Sequence, residues 1–421
     1  MSEKYLPRLI EDEIKTIMRL RGGIYIQGPK WCGKSTTAEL FAKTVVRLQD
    51  KEDYDRYELL LSTETRSLFQ EDRPIMFDEW QLLPHLWDSI RADIDKKSKQ
   101  GQFILTGSAT PAEDKKRHSG IGRIARLTMR SMSLWESGES TGQISLKNLF
   151  NGTADVSGRS EIKLNDLSTI VCRGGFPQAV LLGDEDGLRI PKLYHTELVE
   201  EDITKVDDIN RNPDRARQIL KAYARNVSSL ASNKTIRDDA MANDSTLDEK
   251  TLASYTNALK KLFIIEDVPA WNPRLRSKTF TRTSDKRQFT DPSLAVAALG
   301  ATPNSLMRDM NTFGLLFESL CIRDLRIYAN LIGGRVSHYR DATGLEADAI
   351  IHLPNDDWAA IEIKLGGNQI DEAAKNLLKL EDKVELSKSN PPKFLMVLTG
   401  LDYAYRRPDG VYVVPIGCLR D

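Results

Sequence analysis

The stretch IYIQGPKWCGKSTTAELF, residues 24–41, decides how the N-terminal part of this 421-residue chain folds. It contains the pattern G-x-x-x-x-G-K-[ST], carried by Gly28, Gly33, Lys34 and Ser35. The apolar residues before the pattern predict a buried strand, and residues 35–48 after it predict a helix. The backbone N–H groups of such a loop, together with the positive end of the following helix, bind phosphate groups.

The loop therefore predicts a nucleotide site that binds ATP and Mg²⁺. Lys34 is expected to reach the β- and γ-phosphates, and the Ser35 hydroxyl is expected to ligate Mg²⁺. We interpret Cys32 as a spacer, and the alternative is a redox-sensitive thiol, because helix N-termini lower thiol pKa values. The residues expected to contact the nucleotide are Gly28, Pro29, Lys30, Trp31, Cys32, Gly33, Lys34, Ser35 and Thr36.

A second apolar run, in RPIMFDEW (residues 73–80), ends in two acidic residues. We expect Asp78 to hold Mg²⁺ through water and Glu79 to polarise the attacking water. An ordinary acidic pair at the end of a strand is the alternative, and the phosphate loop upstream favours the functional interpretation. The pair completes the minimum machinery of a nucleotide hydrolase.

Two further candidates follow along the chain. QFILTGSA (residues 102–109) predicts another buried strand that places Ser108, or Thr106, to sense the γ-phosphate. Arg123, in GIGR, is the candidate arginine finger, and a solvated basic surface is the alternative for this basic segment. Because such an arginine is usually delivered by a neighbouring subunit, we expect a homo-oligomer, with a hexameric ring as the specific form.

Composition limits the other function classes. The 60 Lys and Arg residues nearly balance the 61 Asp and Glu residues, so the overall charge gives no indication about nucleic acid. The four cysteines are far apart, which predicts neither a zinc site nor a disulfide framework. No run approaches the roughly 20 apolar residues that span a bilayer. We therefore expect a cytoplasmic protein with no membrane partner.

The order of these motifs resembles the AAA+ class of P-loop ATPases. More narrowly, it resembles the AAA_14 ATPase domain that is fused to a DUF4143 domain. The stretches that carry this resemblance are YLPRLI, GPKWCGKST, IMFDEWQ, ILTGSA, GIGR, RGGFPQAVL and FTDPSLAVAAL. The predicted fold class is α/β, with an AAA+ parallel-sheet domain (1–150), a helical and winged-helix region (151–300) and a restriction-endonuclease-like α/β domain (301–421).

The middle region predicts a winged helix-turn-helix. A short helix, a polar turn and a second helix capped by Asp248 or Thr246 are followed by a strand and a hairpin wing. The wing carries six cations that we expect to contact DNA phosphates, although winged helices also act as protein scaffolds. No arginine lies on the polar face of the second helix, so we expect sequence-independent binding. The cations are Arg274, Arg276, Lys278, Arg282, Lys286 and Arg287, and the polar face holds Asn257, Lys260 and Lys261.

The C-terminal region predicts the element order α-β-β-β-α-β with the spacing D-x₁₃-E-x-K, which resembles the PD-(D/E)xK nuclease fold. Asp348 and Glu362 offer hard oxygen ligands to Mg²⁺, with Glu318 as a third or more distant ligand. Lys364 is expected to orient or deprotonate the attacking water. Three interpretations stay open: an active nuclease, a domain that binds DNA without cutting it, and a structural domain.

Together these features predict an ATP-hydrolysing AAA+ enzyme that acts on DNA. It would work as a helicase- or translocase-like motor with an attached nuclease-type domain. Branched DNA is a candidate substrate of this motor. The alternative is an ATP-dependent regulatory switch, or a protein-interaction ATPase, whose nuclease-like domain only binds. DNA-stimulated turnover separates the motor from the switch.

Overall fold

The computed structural model describes residues 5–63, 68–109, 122–207, 209–241, 247–272, 284–384 and 390–421. The chain separates into two compact units. The first unit comprises Met1–Ser131, Asp202–Asn210 and Ala258–Phe263, and the second comprises Met132–Glu201, Arg211–Asn257 and Ile264–Asp421. The division of the chain into three domains, with boundaries at residues 150 and 300, stays a prediction.

The first unit contains a parallel sheet whose five strands follow the order β2-β3-β4-β1-β5. Its strands are β1 (Gly23–Gln27), β2 (Thr44–Arg47), β3 (Ile75–Asp78), β4 (Phe103–Gly107) and β5 (Ile124–Thr128). Its helices include α1 (Glu11–Leu20), α2 (Lys34–Glu39), α3 (Lys51–Thr63) and α4 (Leu86–Lys97). This order places β1, which leads into the phosphate loop, next to β4 and β5.

The helix after the phosphate loop is shorter than predicted. It ends at Glu39, and residues 44–47 form β2 instead of continuing the helix. Val45 and Val46 are β-branched, which favours a strand, and they lie opposite Met76 and Phe77 of β3. The predicted helix over residues 35–48 was therefore wrong in its second half.

Apolar side chains cover both faces of this sheet, as expected for parallel strands. One face packs Tyr25, Phe77 and Phe103 against Trp80 and Trp87. The other face carries a second buried cluster, which includes Ile24, Ile26, Cys32, Met76 and Ile104. The sheet is therefore buried on both faces, and the candidate catalytic residues lie at the carboxyl ends of its strands.

The middle of the chain is helical, as predicted. Asp248 caps a helix, because its Oδ1 accepts a hydrogen bond of 2.6 Å from the Thr251 amide. The first strand of the predicted wing, SKTFTRT (residues 277–283), and the alternative cap Thr246 lie outside the described residues. The second predicted strand, KRQFTD (residues 286–291), is described, and its Lys286 and Phe289 form bridges with Val268 and Ile265. The helices are α5 (Leu146–Asn151), α6 (Leu164–Arg173), α7 (Pro177–Asp186), α8 (Ile190–Glu197), α9 (Ile203–Lys205), α10 (Pro213–Arg225), α11 (Asn233–Ala240), α12 (Glu249–Lys261), α13 (Pro292–Leu299) and α14 (Pro303–Arg308).

The second unit contains a mixed sheet with the strand order β7-β12-β13-β11-β10-β9-β8. The predicted element order is confirmed by α15 (Met310–Leu331), β8 (Arg335–Arg340), β9 (Glu346–His352), β10 (Trp358–Lys364), α16 (Ile370–Lys383) and β11 (Leu395–Thr399). The remaining strands are β6 (Ile144–Ser145), β7 (Gly158–Arg159), β12 (Tyr403–Arg406), β13 (Tyr412–Pro415) and β14 (Leu419–Arg420). Strand β6 pairs with β14 in a separate small sheet.

A buried arginine joins two of the stretches that first suggested the family. Arg323 of α15 contacts Asp291 at 3.1 Å and Asp324 at 2.8 Å, and all three side chains are at most 1% exposed. Asp291 also accepts a hydrogen bond of 3.0 Å from the Gly175 amide. A Cβ on Gly174 (φ 72°) would lie 2.4 Å from Asp291, so only glycine fits there. RGGFP and TDPS therefore meet at one structural centre.

In the part of the chain that the structure describes, no helix combines the length and the apolar character needed to cross a bilayer.

Candidate functional site

The phosphate loop leaves the carboxyl end of β1 and leads directly into α2. A Cβ on Gly28 would lie 2.0 Å from the Met129 carbonyl oxygen, so the loop passes too close to its neighbour for any side chain there. Lys34 is buried, and its ammonium group donates a hydrogen bond of 2.8 Å to the Pro29 carbonyl within the loop. The Cys32 side chain is fully buried against Met129, which supports the spacer interpretation over an accessible thiol.

The two acidic residues lie at the carboxyl end of β3: Asp78 is its last residue, and Glu79 follows it. Asp78 Oδ1 accepts hydrogen bonds from the Ser35 hydroxyl at 2.6 Å and from the Thr106 hydroxyl at 2.5 Å. Glu79 Oε2 accepts from the Ser108 amide at 3.2 Å and from the Ser108 hydroxyl at 2.9 Å. The two donors are Thr106 of β4 and Ser108 directly after β4, and residues two apart on an extended chain share a face.

Glu79 is restrained further by its own turn. Its backbone has a φ of 52°, and its Oε2 also accepts a hydrogen bond from the Gln81 side chain. Ser108, which the sequence predicts to be a γ-phosphate sensor, is therefore bonded to Glu79. Thr106, the alternative sensor, is bonded to the other acid.

Two residues without a predicted role support the phosphate loop. Arg8, in the N-terminal YLPRLI stretch, is buried and donates to the Cys32 carbonyl at 2.6 Å and to the Arg130 carbonyl at 2.9 Å. Asp202 forms an ion pair of 2.5 Å with Lys30 of the loop. Asp202 follows Lys30 by 172 residues, so no local pattern could have indicated this pair.

Arg123, the candidate arginine finger, lies immediately before β5. Its carbonyl accepts a hydrogen bond from the Gly23 amide at the start of β1, whereas the phosphate loop follows the end of β1. The five residues of β1, at about 3.3 Å each, separate the two positions by roughly 16 Å. Arg123 is about half exposed and pairs with Asp95 at 2.7 Å. It therefore lies at the amino-terminal ends of the strands, whereas its own phosphate loop lies at their carboxyl-terminal ends.

The second unit brings together Glu318, Asp348, Glu362 and Lys364, as the sequence predicts, and adds Lys286. The Lys286 ammonium contacts Glu318 Oε1 at 2.7 Å and Asp348 Oδ1 at 2.9 Å. The Lys364 ammonium contacts Glu362 Oε2 at 2.6 Å and Asp348 Oδ2 at 3.2 Å. The two ammonium groups thus bridge the three carboxylates. A polar cleft of about 190 Å³ borders Glu362 and Lys364.

Burial sets the electrostatics of this cluster. It raises the pKa of Glu318 to about 7 and the pKa of Glu362 to about 8, despite the neighbouring lysines. Burial also opposes ionisation of Asp348, but the charges of Lys286 and Lys364 hold the pKa of this carboxyl well below its usual range. Desolvation lowers the pKa of Lys286, and the charges of Asp348 and Glu318 more than offset this effect.

Two of the six predicted phosphate-contacting cations are directed into the protein. Lys286 is only 4% exposed and belongs to the carboxylate cluster. Arg287 pairs with Asp267 at 3.2 Å and donates to the Ala231 carbonyl at 2.8 Å. Their assignment to a DNA-contacting wing was wrong, because their burial depends on partners that are distant in sequence. The other four cations lie outside the described residues.

Three family models match parts of the chain. The family model of the AAA_14 domain, described as an AAA domain, matches residues 21–137, and the DUF4143 model, a domain of unknown function, matches residues 313–419. The chain contains a P-loop ATPase domain of the AAA_14 type and a DUF4143 domain. The third model, DUF8612, is also described as a domain of unknown function and matches residues 164–305.

The ATPase also resembles the solved structure of a Walker-type ATPase of Pyrococcus abyssi. The identity is 15% and the TM-score is 0.41, over 70% of this chain and 97% of that chain. A search of curated proteins found no match.

The residues of the first unit fit the nucleotide and the metal that such an ATPase binds. The Ser35 hydroxyl and the Asp78 carboxylate are hard oxygen donors already in contact, and Mg²⁺ prefers such ligands. The loop can take no side chain at Gly28 and holds the Lys34 ammonium at its centre. Bound Mg²⁺ would neutralise phosphate charge at this position.

The residues of the second unit do not fit a divalent metal. Within the described ranges, no three His, Cys, Asp or Glu side chains form a group that could hold a metal ion. Both oxygens of Asp348 already contact lysine ammonium groups. The predicted Mg²⁺ ligands Glu318, Asp348 and Glu362 therefore serve as partners of two cations of the protein itself.

Proposed function

We propose that this ATPase is a Mg²⁺-dependent ATP hydrolase that uses turnover to act on DNA. The observation that supports hydrolysis, and not binding alone, is the position of Glu79. Glu79 directly follows Asp78, which contacts Ser35 of the phosphate loop, and its carboxylate is held by Ser108 and Gln81. A carboxylate that is oriented in this way can accept a proton from water.

The described contacts suggest how the site works. Lys34 leaves the Pro29 carbonyl when phosphate enters, because a phosphate oxygen is a stronger partner for an ammonium group. Glu79 exchanges part of its bonding with Ser108 for the attacking water, and takes the proton of that water. Asp78 keeps the Ser35 hydroxyl oriented with the help of Thr106. Ser108 would in this way link γ-phosphate binding to the hydrogen bonding of Glu79.

A local cluster of positive charge supports DNA as the partner. Four cations of the predicted wing, between residues 274 and 282, occur in a chain whose overall charge is close to zero. Such a group suits phosphate contacts that do not depend on base sequence. As a motor, the protein would move along or unwind DNA in the manner of a translocase or a helicase.

A second candidate function is an ATP-dependent switch, or a protein-interaction ATPase, that does not move along DNA. Three cations that were expected to face DNA have partners within the protein. Lys286 and Arg287 are directed inward. Lys261, on the second helix of the predicted helix-turn-helix, pairs with Asp207 at 3.3 Å. These pairs leave a smaller basic surface than the sequence predicts.

Turnover measured with DNA decides between the two candidates. We expect single-stranded, duplex or branched DNA to raise the ATP turnover of the purified full chain several-fold, with Lys34→Ala as the inactive control. The triple variant R274Q/R276Q/K278Q should weaken DNA binding and reduce its salt slope by about 2 to 3, because each phosphate contact contributes close to one. The matched variant K51Q/K96Q/K99Q removes three exposed lysines of the first unit and should change neither property.

Turnover that ignores every DNA would reject the motor and favour the switch. Absence of turnover with intact ATP binding would reject hydrolysis itself. We also propose a cytoplasmic setting, in keeping with four buried cysteines that form no disulfide.

We further propose that the ATPase works as a homo-oligomer, with a hexameric ring as the candidate form. The position of Arg123 supports this proposal. It lies the length of β1 away from its own phosphate loop, so a finger role for Arg123 requires the site of a neighbouring chain. An arginine supplied in this way stabilises charge on the transferred phosphoryl group.

Mixing two inactive variants tests delivery of Arg123 by a neighbour. A chain with Arg123→Ala keeps its own loop and Glu79, whereas a chain with Glu79→Gln keeps its arginine. In a randomly mixed 1:1 ring, half of the sites are intact and half of these face an intact arginine. We therefore expect about a quarter of native turnover from a mixture whose components are both nearly inactive.

Two controls make the mixing experiment specific. Arg21 is another exposed arginine at the amino-terminal ends of the strands, and Arg21→Ala alone should keep native turnover. A mixture of Glu79→Gln with Lys34→Ala contains no intact site and should recover nothing. Failure of the R123A and E79Q mixture to exceed its separate components would reject Arg123 as the finger.

A further inference from the structure

The second unit holds a buried ammonium group between two carboxylates that a nuclease of this shape would use for metal. Lys286 lies outside the D-x₁₃-E-x-K pattern, 32 residues before Glu318 and 62 residues before Asp348. Its side chain is 5% exposed, and its two partners are 11% and 10% exposed. The three groups therefore form a nearly closed ionic centre.

We infer that Lys286 takes the place of the divalent cation, so that the C-terminal domain does not perform metal-dependent cleavage of nucleic acid. The inference concerns the second unit alone and stands whether or not the proposed action on DNA is correct.

The hydrogen bonds of Asp348 support this inference. Its Oδ1 contacts Lys286, and its Oδ2 contacts Lys364 and accepts a hydrogen bond of 2.9 Å from the Ile363 amide. A divalent cation requires free carboxylate oxygens at about 2.0–2.6 Å. It would have to displace an ammonium group or lie next to two of them, and like charges at such distances repel strongly.

The balance of charge leads to the same conclusion. Lys286 and Lys364 supply two positive charges to a cluster of three carboxyl groups. The two ammonium groups therefore balance charge that a divalent cation would otherwise have to balance, and they contact all three carboxylates directly.

Removal of Lys286 should expose the site that it occupies. In the full-length, nucleotide-free protein carrying Ser35→Ala, which disables the phosphate loop as a metal site, Mn²⁺ binding is followed by the loss of the free Mn²⁺ resonance signal. The parent should show no Mn²⁺ binding that depends on Asp348. The variant Lys286→Ala should gain a saturable Mn²⁺ site, and adding Asp348→Asn should abolish it. Thermal unfolding checks that each variant is folded.

A matched control removes a different ammonium group. Lys383 contacts Asp341 at 2.5 Å at a more exposed position of the same unit, so Lys383→Ala opens a carboxylate without opening the cluster. We expect no Mn²⁺ site in that variant.

Two results would overturn the inference. One is a parent protein, with Lys286 intact, that binds Mn²⁺ and loses the binding on Asp348→Asn. This comparison requires no change at Lys286 and holds even if Lys286→Ala does not fold. The other is a folded Lys286→Ala variant that binds no Mn²⁺, because the carboxylates would then form no cation site.

Discussion

Substitution of Glu79 by glutamine should lower the kcat of ATP hydrolysis by about 100- to 10,000-fold, the usual contribution of a general base. Glutamine keeps the size of the side chain and its neighbours Ser108 and Gln81, but its amide cannot accept a proton from water. ATP affinity should change little, because Glu79 lies outside the phosphate loop. Phosphate release gives kcat, and equilibrium binding of a fluorescent ATP analogue gives the affinity.

Glu71→Gln is the matched control for this substitution. Glu71 is partly buried and ion-paired with Arg56, but it lies before β3, whereas Glu79 follows the end of that strand. We expect nearly native turnover from Glu71→Gln. More than about a tenth of native turnover in the Glu79→Gln variant would mean that another group serves as the base.

Arg323→Met should reduce the free energy of unfolding of the second unit by about 3–5 kcal/mol, because it leaves buried carboxylates without their cation. Asp291 and Asp324 lie on two sides of the guanidinium group, and burial already raises the pKa of Asp324 to about 6. Urea unfolding of the full chain, followed by tryptophan fluorescence and by protease sensitivity, measures the loss.

Two comparisons identify the cause of this destabilisation. Arg335→Met, an exposed arginine at the start of β8, should change stability by less than about 0.5 kcal/mol. Adding Asp291→Asn to Arg323→Met should recover part of the loss, because it removes one of the unpaired charges. Equal stability of Arg323→Met and Arg335→Met would show that the ionic centre contributes nothing measurable.

The sequence was most informative where function depends on backbone geometry and local spacing. The phosphate loop, the acids at the end of β3 and the α-β-β-β-α-β order of the C-terminal region each follow from short patterns. Strand β2 was missed because only four residues separate it from α2, although Val45 and Val46 gave a β-branched signal. Ser108 and Thr106 were recognised as candidates, but not as the groups that hold Glu79 and Asp78.

The cations were the least predictable residues. Lys286 and Arg287 belong to a run that the sequence suggests is exposed, yet their partners Glu318, Asp348 and Asp267 are 20 to 62 residues away. A lysine becomes buried only where carboxylates from other elements receive it, and a single sequence shows no such pairing. The same applies to Arg8 and to the pair of Lys30 and Asp202.

The discontinuous first unit has a consequence for how this protein is made. A ribosome releases the chain from its N-terminus, and domains generally fold as they emerge. Here Lys30 emerges 172 residues before its partner Asp202, and the last stretch of the unit ends at Phe263. The first unit as a whole cannot be completed until more than half of the polypeptide has been synthesised. A gene fragment cut at the end of β5 would encode the motif of the ATPase without the residues that finish its fold.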